Sequence, residues 1–188
     1  MRETKYFQNN IYGYQVRSGT TNTYSGGSVH NVVGGGHHEY YQHQYPYPND
    51  IAVLRVSPGF SFNNYVQPTY LPSSGQDVPG GYPSVAVGWG SSCDQCGSNA
   101  DLQKVNLYIY SHEECVGIYG YGPSNNNVCS GNPQEGKGIC FGDSGGPLLV
   151  NGVQVGITSW TGTPCASKPA VWTKVSSYRY WISQYTGV

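Results

Sequence analysis

The clearest periodic feature of the chain is an alternation of apolar and other residues in its second half. Residues 105–110 alternate in this way, and residues 153–158 repeat the pattern. A period of two predicts strands with one buried face. Asn151-Gly152 joins the second run to an apolar run at 147–150, and this dipeptide between apolar runs is a strong signal for a tight hairpin.

Shorter apolar runs at 51–56 and 84–89 predict two buried strands. A helical spacing of apolar residues occurs only near the C-terminus, where it predicts one amphipathic helix. The residues with this spacing are Val175, Tyr178, Ile182 and Tyr185. The Pro- and Gly-rich stretch 68–83 predicts a linker, and the polar stretch 34–50 predicts an exposed loop.

Composition supports a mostly β protein and argues against two classes of partner. The 188 residues include 27 Gly and 18 Tyr but only 10% charged residues, which is typical of a turn-rich β protein. The net charge of -1 argues against nucleic acid and an anionic membrane as partners. The sequence has no apolar run long enough to span a bilayer.

Six cysteines lie in Gly-rich segments, and their even number predicts disulfides and an oxidising compartment. Zinc is the alternative for Cys93-x-x-Cys96, but a zinc site needs four ligands and no second pair has a suitable spacing. Residues 1–10 lack the apolar stretch of a secretory signal. We therefore expect a secreted, extracellular protein whose natural N-terminus is not Met1.

The segment at 142–147, Gly-Asp-Ser-Gly-Gly-Pro, carries the strongest chemical signal. A serine hydroxyl becomes a nucleophile when a base removes its proton, and neighbouring glycines let a substrate carbonyl approach main-chain N–H groups. The alternative interpretation is a Gly-rich turn before a strand. The six-residue segment, with Cys140 four positions before Ser144 and a predicted strand after it, favours the nucleophile.

With this segment, the chain resembles the trypsin- and chymotrypsin-like serine proteases. Further segments resemble parts of that family in the family's order, and the resemblance extends over residues 14–187. They are Asn-Asp-Ile-Ala-Val-Leu at 49–54, Val-Gly-Trp-Gly at 87–90, Ser-Trp at 159–160, Pro-Ala-Val-Trp-Thr-Lys-Val at 169–175 and Trp-Ile at 181–182.

The family implies an all-β fold with two six-stranded β-barrels and a C-terminal helix. We expect residues 76–188 to form the second barrel and the helix. Residues 1–75 are expected to be a remnant of the first barrel, without its opening strands. The family also implies a secreted, monomeric serine endopeptidase that needs no cofactor and has protein or peptide substrates and protein protease inhibitors as partners.

The resemblance assigns a role to each residue that matches the family's motifs. Ser144 matches the nucleophile, and the N–H groups of Gly142 and Ser144 match the oxyanion hole. Asp50 matches the carboxylate that orients the catalytic imidazole. Asp143 matches the residue that pairs with the new N-terminus after activation, and Ser159 matches a serine that supports the aspartate.

The same resemblance places a substrate pocket beside Ser144. Gly138 matches its floor, where trypsin-like members have an aspartate that pairs with Arg or Lys. Thr161 replaces a glycine at the entrance, Ile139 adds apolar bulk, Ala170 is uncharged, and 159–160 lines the cleft. Because a buried cation would lack a partner there, we expect an elastase-like preference for small or medium apolar residues.

The family pattern implies two disulfides and leaves two further cysteines to bridge each other. The expected pairs are Cys93–Cys96, Cys115–Cys129 and Cys140–Cys165. A metal site is the alternative to a solvated loop for the cluster of His37, His38, Glu39 and His43. Because nothing in the sequence fixes the geometry of this cluster, we expect no metal.

The catalytic histidine of the family is missing. In the family it lies in an Ala-Ala-His-Cys segment before the aspartate, and no histidine of this chain lies in such a segment. The five are His30, His37, His38, His43 and His112. We expect the histidine to lie upstream of Met1 in a longer protein. The alternatives are a non-catalytic protease homologue that binds partners through its cleft and a Tyr- and Gly-rich binding module.

We predict that the chain hydrolyses peptide anilides no faster than its Ser144→Ala variant, because it lacks the general base. The release of p-nitroaniline measures this rate. Hydrolysis that the substitution abolishes would contradict the prediction and would indicate His38 or His43 as a substitute base.

Overall fold

The computed structural model describes residues 13–188, and the prediction for residues 1–10 lies outside them. The strands of this part are β1 Gln15–Ser18, β2 Ser28–His37, β3 Ala52–Ser57, β4 Pro83–Gly88, β5 Gln103–Tyr110, β6 Asn127–Gly131, β7 Pro147–Val150, β8 Val153–Trp160 and β9 Ala170–Lys174. The α-helices are α1 His112–Tyr119 and α2 Arg179–Thr186. Neither helix is long and apolar enough to cross a membrane.

The first three strands form an antiparallel sheet in the order β1-β2-β3. A register shift between Val32 and Gly34 interrupts the pairing of β2 with β3. The sheet does not close on itself, and the apolar side chains of Val33 and Leu54 are more than half exposed.

The other six strands form a closed barrel in the order β4-β5-β6-β9-β8-β7, with antiparallel neighbours. Asn151 and Gly152 connect β7 to β8 with φ of 50° and 79°, as a two-residue hairpin turn requires. The closed barrel, the open first sheet and the C-terminal helix confirm the predicted all-β fold class. The domain boundary at residue 75 stays a prediction.

Of three apolar clusters in the described residues, two determine how the elements around the site pack. The barrel interior is filled by side chains such as Leu107, Leu148 and Trp172, each at most 1% exposed. The second cluster joins Ile51, just before β3, to the C-terminal helical segment. Its buried members from that segment are Val175, Tyr178, Trp181 and Ile182. Because Ile51 follows Asp50 directly, this cluster fixes the position of the predicted catalytic carboxylate.

Two sequence-based expectations were wrong. Residues 34–37 are the end of β2 and not part of a loop, because the strand continues through three glycines to His37. The chain also contains a second helix, α1, although the apolar pattern predicted only the helix near the C-terminus. The Ser111 side chain and Glu114 form a capping box that satisfies N–H groups at the start of this helix.

We predict that Leu148→Ala lowers the free energy of unfolding by about 2–5 kcal/mol, because it leaves a cavity in the barrel core. Leu54→Ala is the matched control, and it should change stability by less than about 0.5 kcal/mol since Leu54 is 57% exposed. Urea unfolding measures both values. Equal losses for the two variants would contradict the assignment of the core.

Candidate active site

The loop that carries Ser144 is shaped by glycines on both sides of it. Gly142 and Gly145 have φ of 93° and 78°, a region in which other residues are strained. The Gly145 N–H donates to the carbonyl of Thr158 at 3.0 Å, and the Thr158 N–H donates to the carbonyl of Gly146 at 2.9 Å. The loop is therefore fastened to β8, and Ser144 stays exposed.

The carboxylate of Asp143 holds the loop from the other side. It accepts hydrogen bonds from the N–H groups of Gly90 and Cys140, each at 3.0 Å. The carboxylate fits tightly against Gly88 and Gly90, because a Cβ at either position would lie less than 3 Å from it. A cavity of about 230 Å³, partly lined by Gly138 and Lys137, lies beside Asp143.

Ser144 lies on the wall of a cleft of about 250 Å³. Four of the predicted substrate-binding residues line the same cleft, namely Ile139, Ser159, Trp160 and Thr161. Among the described residues that line it, none is acidic or basic. The cleft can therefore hold an uncharged side chain without leaving a buried charge unpaired.

The other two predicted pocket residues do not line this cleft. Gly138 lines the cavity beside Asp143, and a Cβ on Gly138 would lie 2.9 Å from Ala166 Cα. Ala170 is 2% exposed and packs in the barrel core together with Ile139. Their place in the substrate pocket stays a prediction.

Asp50 reaches the cleft through Ser159. The Ser159 hydroxyl donates to the Asp50 carboxylate at 2.6 Å, although 109 residues separate the two in sequence. The Thr173 hydroxyl donates to the main-chain carbonyl of Asp50 at 2.7 Å. The structure therefore brings Asp50 from the end of the first sheet to the same serine that lines the cleft of Ser144.

The Asp50 carboxyl is partly buried, and this burial raises its pKa. Loss of hydration raises the pKa of Asp50, and this effect outweighs the lowering by the Ser159 hydrogen bond and by the nearby His43. Burial also raises the pKa of Tyr178, and the negative charge of Asp50 adds to that rise. The Asp50 carboxylate therefore has a hydrogen-bond donor but is held in a partly desolvated place.

None of the five histidines lines the cleft. His38 stacks on Trp181 of α2 with ring centroids 5.6 Å apart, and the Trp181 indole N–H donates to Glu39 at 3.1 Å. His43 lies close enough to lower the pKa of Asp50, and its Nδ1 is 3.2 Å from the Tyr41 hydroxyl oxygen. In the structure, His38 and Glu39 contact α2.

The structure contains the three disulfides that were expected: Cys93–Cys96, Cys115–Cys129 and Cys140–Cys165. The last one lies in the cleft wall. Within residues 13–188, one cluster has metal-ligating atoms close together, namely Asp94, Cys140 and Cys165. Its two sulfurs form a disulfide and offer no thiolate, while Asp94 accepts a hydrogen bond from the Cys165 N–H at 2.8 Å.

Sequence analysis missed the tyrosines that border the cleft. Tyr47 lines it, and Tyr45 contacts the Trp160 ring with centroids 5.2 Å apart. The Tyr45 hydroxyl donates to the Tyr121 carbonyl at 2.6 Å, which links the loop before Asp50 to the segment after α1. Tyr45 and Tyr47 lie within five residues of Asp50 in the sequence, and this was the only signal that could have pointed to them. No sequence pattern shows that their loop folds over Trp160.

We predict that Asp50→Asn raises the free energy of unfolding at neutral pH. Folding raises the pKa of Asp50, so the fold disfavours the ionised carboxylate. The protonated carboxyl stabilises the fold fully at a pH below the pKa of Asp50 in the unfolded chain, and this contribution is lost as the pH rises through the pKa in the folded chain. Asn carries no charge at any pH and therefore avoids this loss. The gain should therefore shrink from pH 7 to pH 3 in urea unfolding.

Asp77→Asn is the control, because Asp77 is exposed and pairs with Lys174 at 2.7 Å. It should give no gain at neutral pH. A loss of stability in Asp50→Asn at pH 7 would contradict the prediction.

Comparison with known proteins agrees with this geometry. The sequence model of the Trypsin family matches residues 7–182. Renal glandular kallikrein of Mastomys natalensis is 38% identical over 140 residues, which cover 72% of this chain and 52% of the relative. Alkaline trypsin C of Manduca sexta is 36% identical over 176 residues, which cover 90% of this chain and 68% of the relative.

Among solved structures, neuropsin, a serine protease of mouse brain, superposes with a TM-score of 0.85 at 30% identity. The match covers 91% of this chain and 78% of that one. The chain spans about half the length of the kallikrein and about two thirds of the length of the trypsin. Fold, serine loop and sequence similarity together show that the chain belongs to the trypsin family.

Proposed function

We propose that the protein is a serine endopeptidase in which Ser144 attacks the carbonyl carbon of a peptide bond and becomes acylated. Membership of the trypsin family supports proteolysis in general. The observation that carries the residue assignment is the hydrogen bond from Ser159 to Asp50, because Ser159 and Ser144 line one cleft. Water then hydrolyses the acyl-enzyme.

The residues of the serine loop and Asp50 each have a separate role in the proposed reaction. The N–H groups of Gly142 and Ser144 stabilise the oxyanion of the tetrahedral intermediate. Asp50 orients an imidazole that takes the proton of Ser144 and returns it to the leaving amine. Asp143 pairs with a free N-terminus that enters the neighbouring cavity, and this pairing keeps the loop in its working shape.

The composition of the cleft supports an elastase-like choice of substrate. Ile139 and Thr161 occupy its wall, and no described residue of the wall offers a carboxylate for an Arg or Lys side chain. We propose a preference for small or medium apolar residues before the bond that is cleaved.

The three disulfides support secretion into an oxidising compartment, with protein or peptide substrates as partners. The second candidate is a non-catalytic homologue that binds a protein in the same cleft. It is favoured by one observation, that none of the five histidines of the chain lines the cleft of Ser144.

Imidazole added to the solution tests whether Ser144 and Asp50 are catalytic. We predict that the chain with imidazole hydrolyses the p-nitrophenyl ester of an N-acyl-alanine about tenfold faster than Ser144→Ala does. A fixed general base contributes about 100-fold or more, and a free base recovers part of that. Subtracting the rate of Ser144→Ala from that of the chain corrects for the ester hydrolysis that imidazole catalyses in solution.

Asp50→Asn should reduce the imidazole-dependent gain, because an amide stabilises an imidazolium less well than a carboxylate does. With esters of alanine, leucine and arginine, the gain should be smallest for arginine. Equal rates for the chain and Ser144→Ala would overturn the endopeptidase proposal in favour of the binding homologue. A larger gain for arginine would overturn the proposed specificity alone.

A further inference from the structure

A second contact between a serine and an imidazole lies in the three-stranded sheet, apart from the cleft of Ser144. Ser18 ends β1 and His30 lies on β2, and Ser18 Oγ is 2.8 Å from His30 Nε2. His30 is 3% exposed, whereas Ser18 is half-buried. A partly accessible hydroxyl is thus paired with an imidazole that is shielded from water.

The other ring nitrogen of His30 determines which nitrogen carries the proton. His30 Nδ1 is 2.7 Å from the main-chain carbonyl oxygen of Pro58, and a carbonyl oxygen only accepts hydrogen bonds. Nδ1–H therefore donates to Pro58, and Nε2 of the neutral ring accepts the hydrogen bond from Ser18. The Phe60 ring lies 4.7 Å from the imidazole and fixes its plane.

This arrangement has the parts of a nucleophilic site. A nucleophile lies within hydrogen-bond reach of a base, and a third group orients the base. Here the third group is the Pro58 carbonyl, whose partial negative charge also stabilises the imidazolium that forms when His30 takes a proton. A cavity of about 210 Å³ reaches Ser18, and His30 is the one acidic or basic side chain among the described residues that line it.

The cavity restricts what can react there. Gly19 and Gly27 line the cavity near Ser18, while Ser61 and Asn63 give the lining polar groups. A volume of this size accepts a small molecule but not a folded protein or a long peptide. An uncharged electrophile fits best, because the lining has no Asp, Glu, Lys or Arg among the described residues and its imidazole, His30, is the base in its neutral form.

We propose that Ser18 and His30 form a second nucleophilic site that reacts with small uncharged esters and phosphonyl compounds. With an ester, Ser18 Oγ forms a bond to the acyl carbon and its proton passes to His30 Nε2. The bond to the alcohol oxygen breaks, and the proton leaves with the alcohol. With an alkyl fluorophosphonate, a P–O bond forms, the P–F bond breaks and fluoride departs, while the Ser18 proton passes to His30 Nε2 and from there to the solvent.

The test is labelling with an alkyl fluorophosphonate, followed by digestion and mass spectrometry. Cleavage after Lys and Arg, except before Pro169, places Ser18 in peptide 18–55 and Ser144 in peptide 138–174, so the two serines are read separately. We expect an adduct on Ser18 both in the chain and in Ser144→Ala. The label on peptide 138–174 reports on the endopeptidase proposal and does not bear on Ser18.

Two variants complete the test. Ser18→Ala should lose the label from peptide 18–55, whereas Ser25→Ala, an exposed serine of the same peptide, should keep it. His30→Asn should label about 100-fold more slowly, because the general base is gone. If near-UV circular dichroism shows that His30→Asn does not fold, the labelling of Ser18→Ala and Ser25→Ala alone decides whether Ser18 is the nucleophile.

No adduct on peptide 18–55 at saturating reagent would overturn the proposal. So would an adduct that fragmentation places on a residue other than Ser18, or an unchanged labelling rate in folded His30→Asn.

Discussion

The hydrogen bond from Ser159 to Asp50 joins the two parts of the molecule at the place where the candidate site lies. Ser159 belongs to β8 of the closed barrel, and Asp50 precedes the last strand of the open sheet. Ile51 anchors the same segment in the cluster around α2. A carboxylate at the cleft therefore depends on packing between elements that lie more than 100 residues apart in sequence.

Two features of the candidate site restrict which residues and which charge states the fold accepts there. Burial raises the pKa of Asp50, which means that its ionised form is disfavoured by the fold. Gly142 and Gly145 adopt a backbone conformation that other residues avoid, and the loop between them leaves Ser144 exposed. The barrel compensates with a tightly packed interior around Trp172 and with β8, which fastens the loop. Such local costs are common where a fold carries chemistry.

Much of the fold could be predicted from the sequence, because a half-buried strand leaves a pattern with a period of two. β5, β8 and the Asn151–Gly152 hairpin follow that pattern. Helix α1 could not be found in this way, since Cys115 is its one buried side chain and it has no apolar stripe. The end of β2 was missed because three consecutive glycines carry no pattern of side chains.

The residues of the candidate site also differ in whether the sequence could identify them. Ser144, Ser159 and Asp50 lie in short segments that resemble the motifs of the family, and this resemblance is what predicted that Ser159 supports Asp50. The fold of Tyr45 over Trp160 depends on a loop whose path is set by distant contacts, including the hydrogen bond to the Tyr121 carbonyl. The positions of Gly138 and Ala170 outside the cleft likewise depend on how the barrel packs around Ile139.

We propose that Asp50 and Ser144 flank the space of one imidazole ring, because Ser159 contacts Asp50 and lines the cleft of Ser144. A crystal structure of the protein soaked in imidazole measures this directly. We expect a ring whose two nitrogens lie within hydrogen-bond distance, about 2.8 Å, of the Asp50 carboxylate and of Ser144 Oγ. Contradiction would come from a structure in which these two oxygens stand too close together or too far apart for one ring to bridge them.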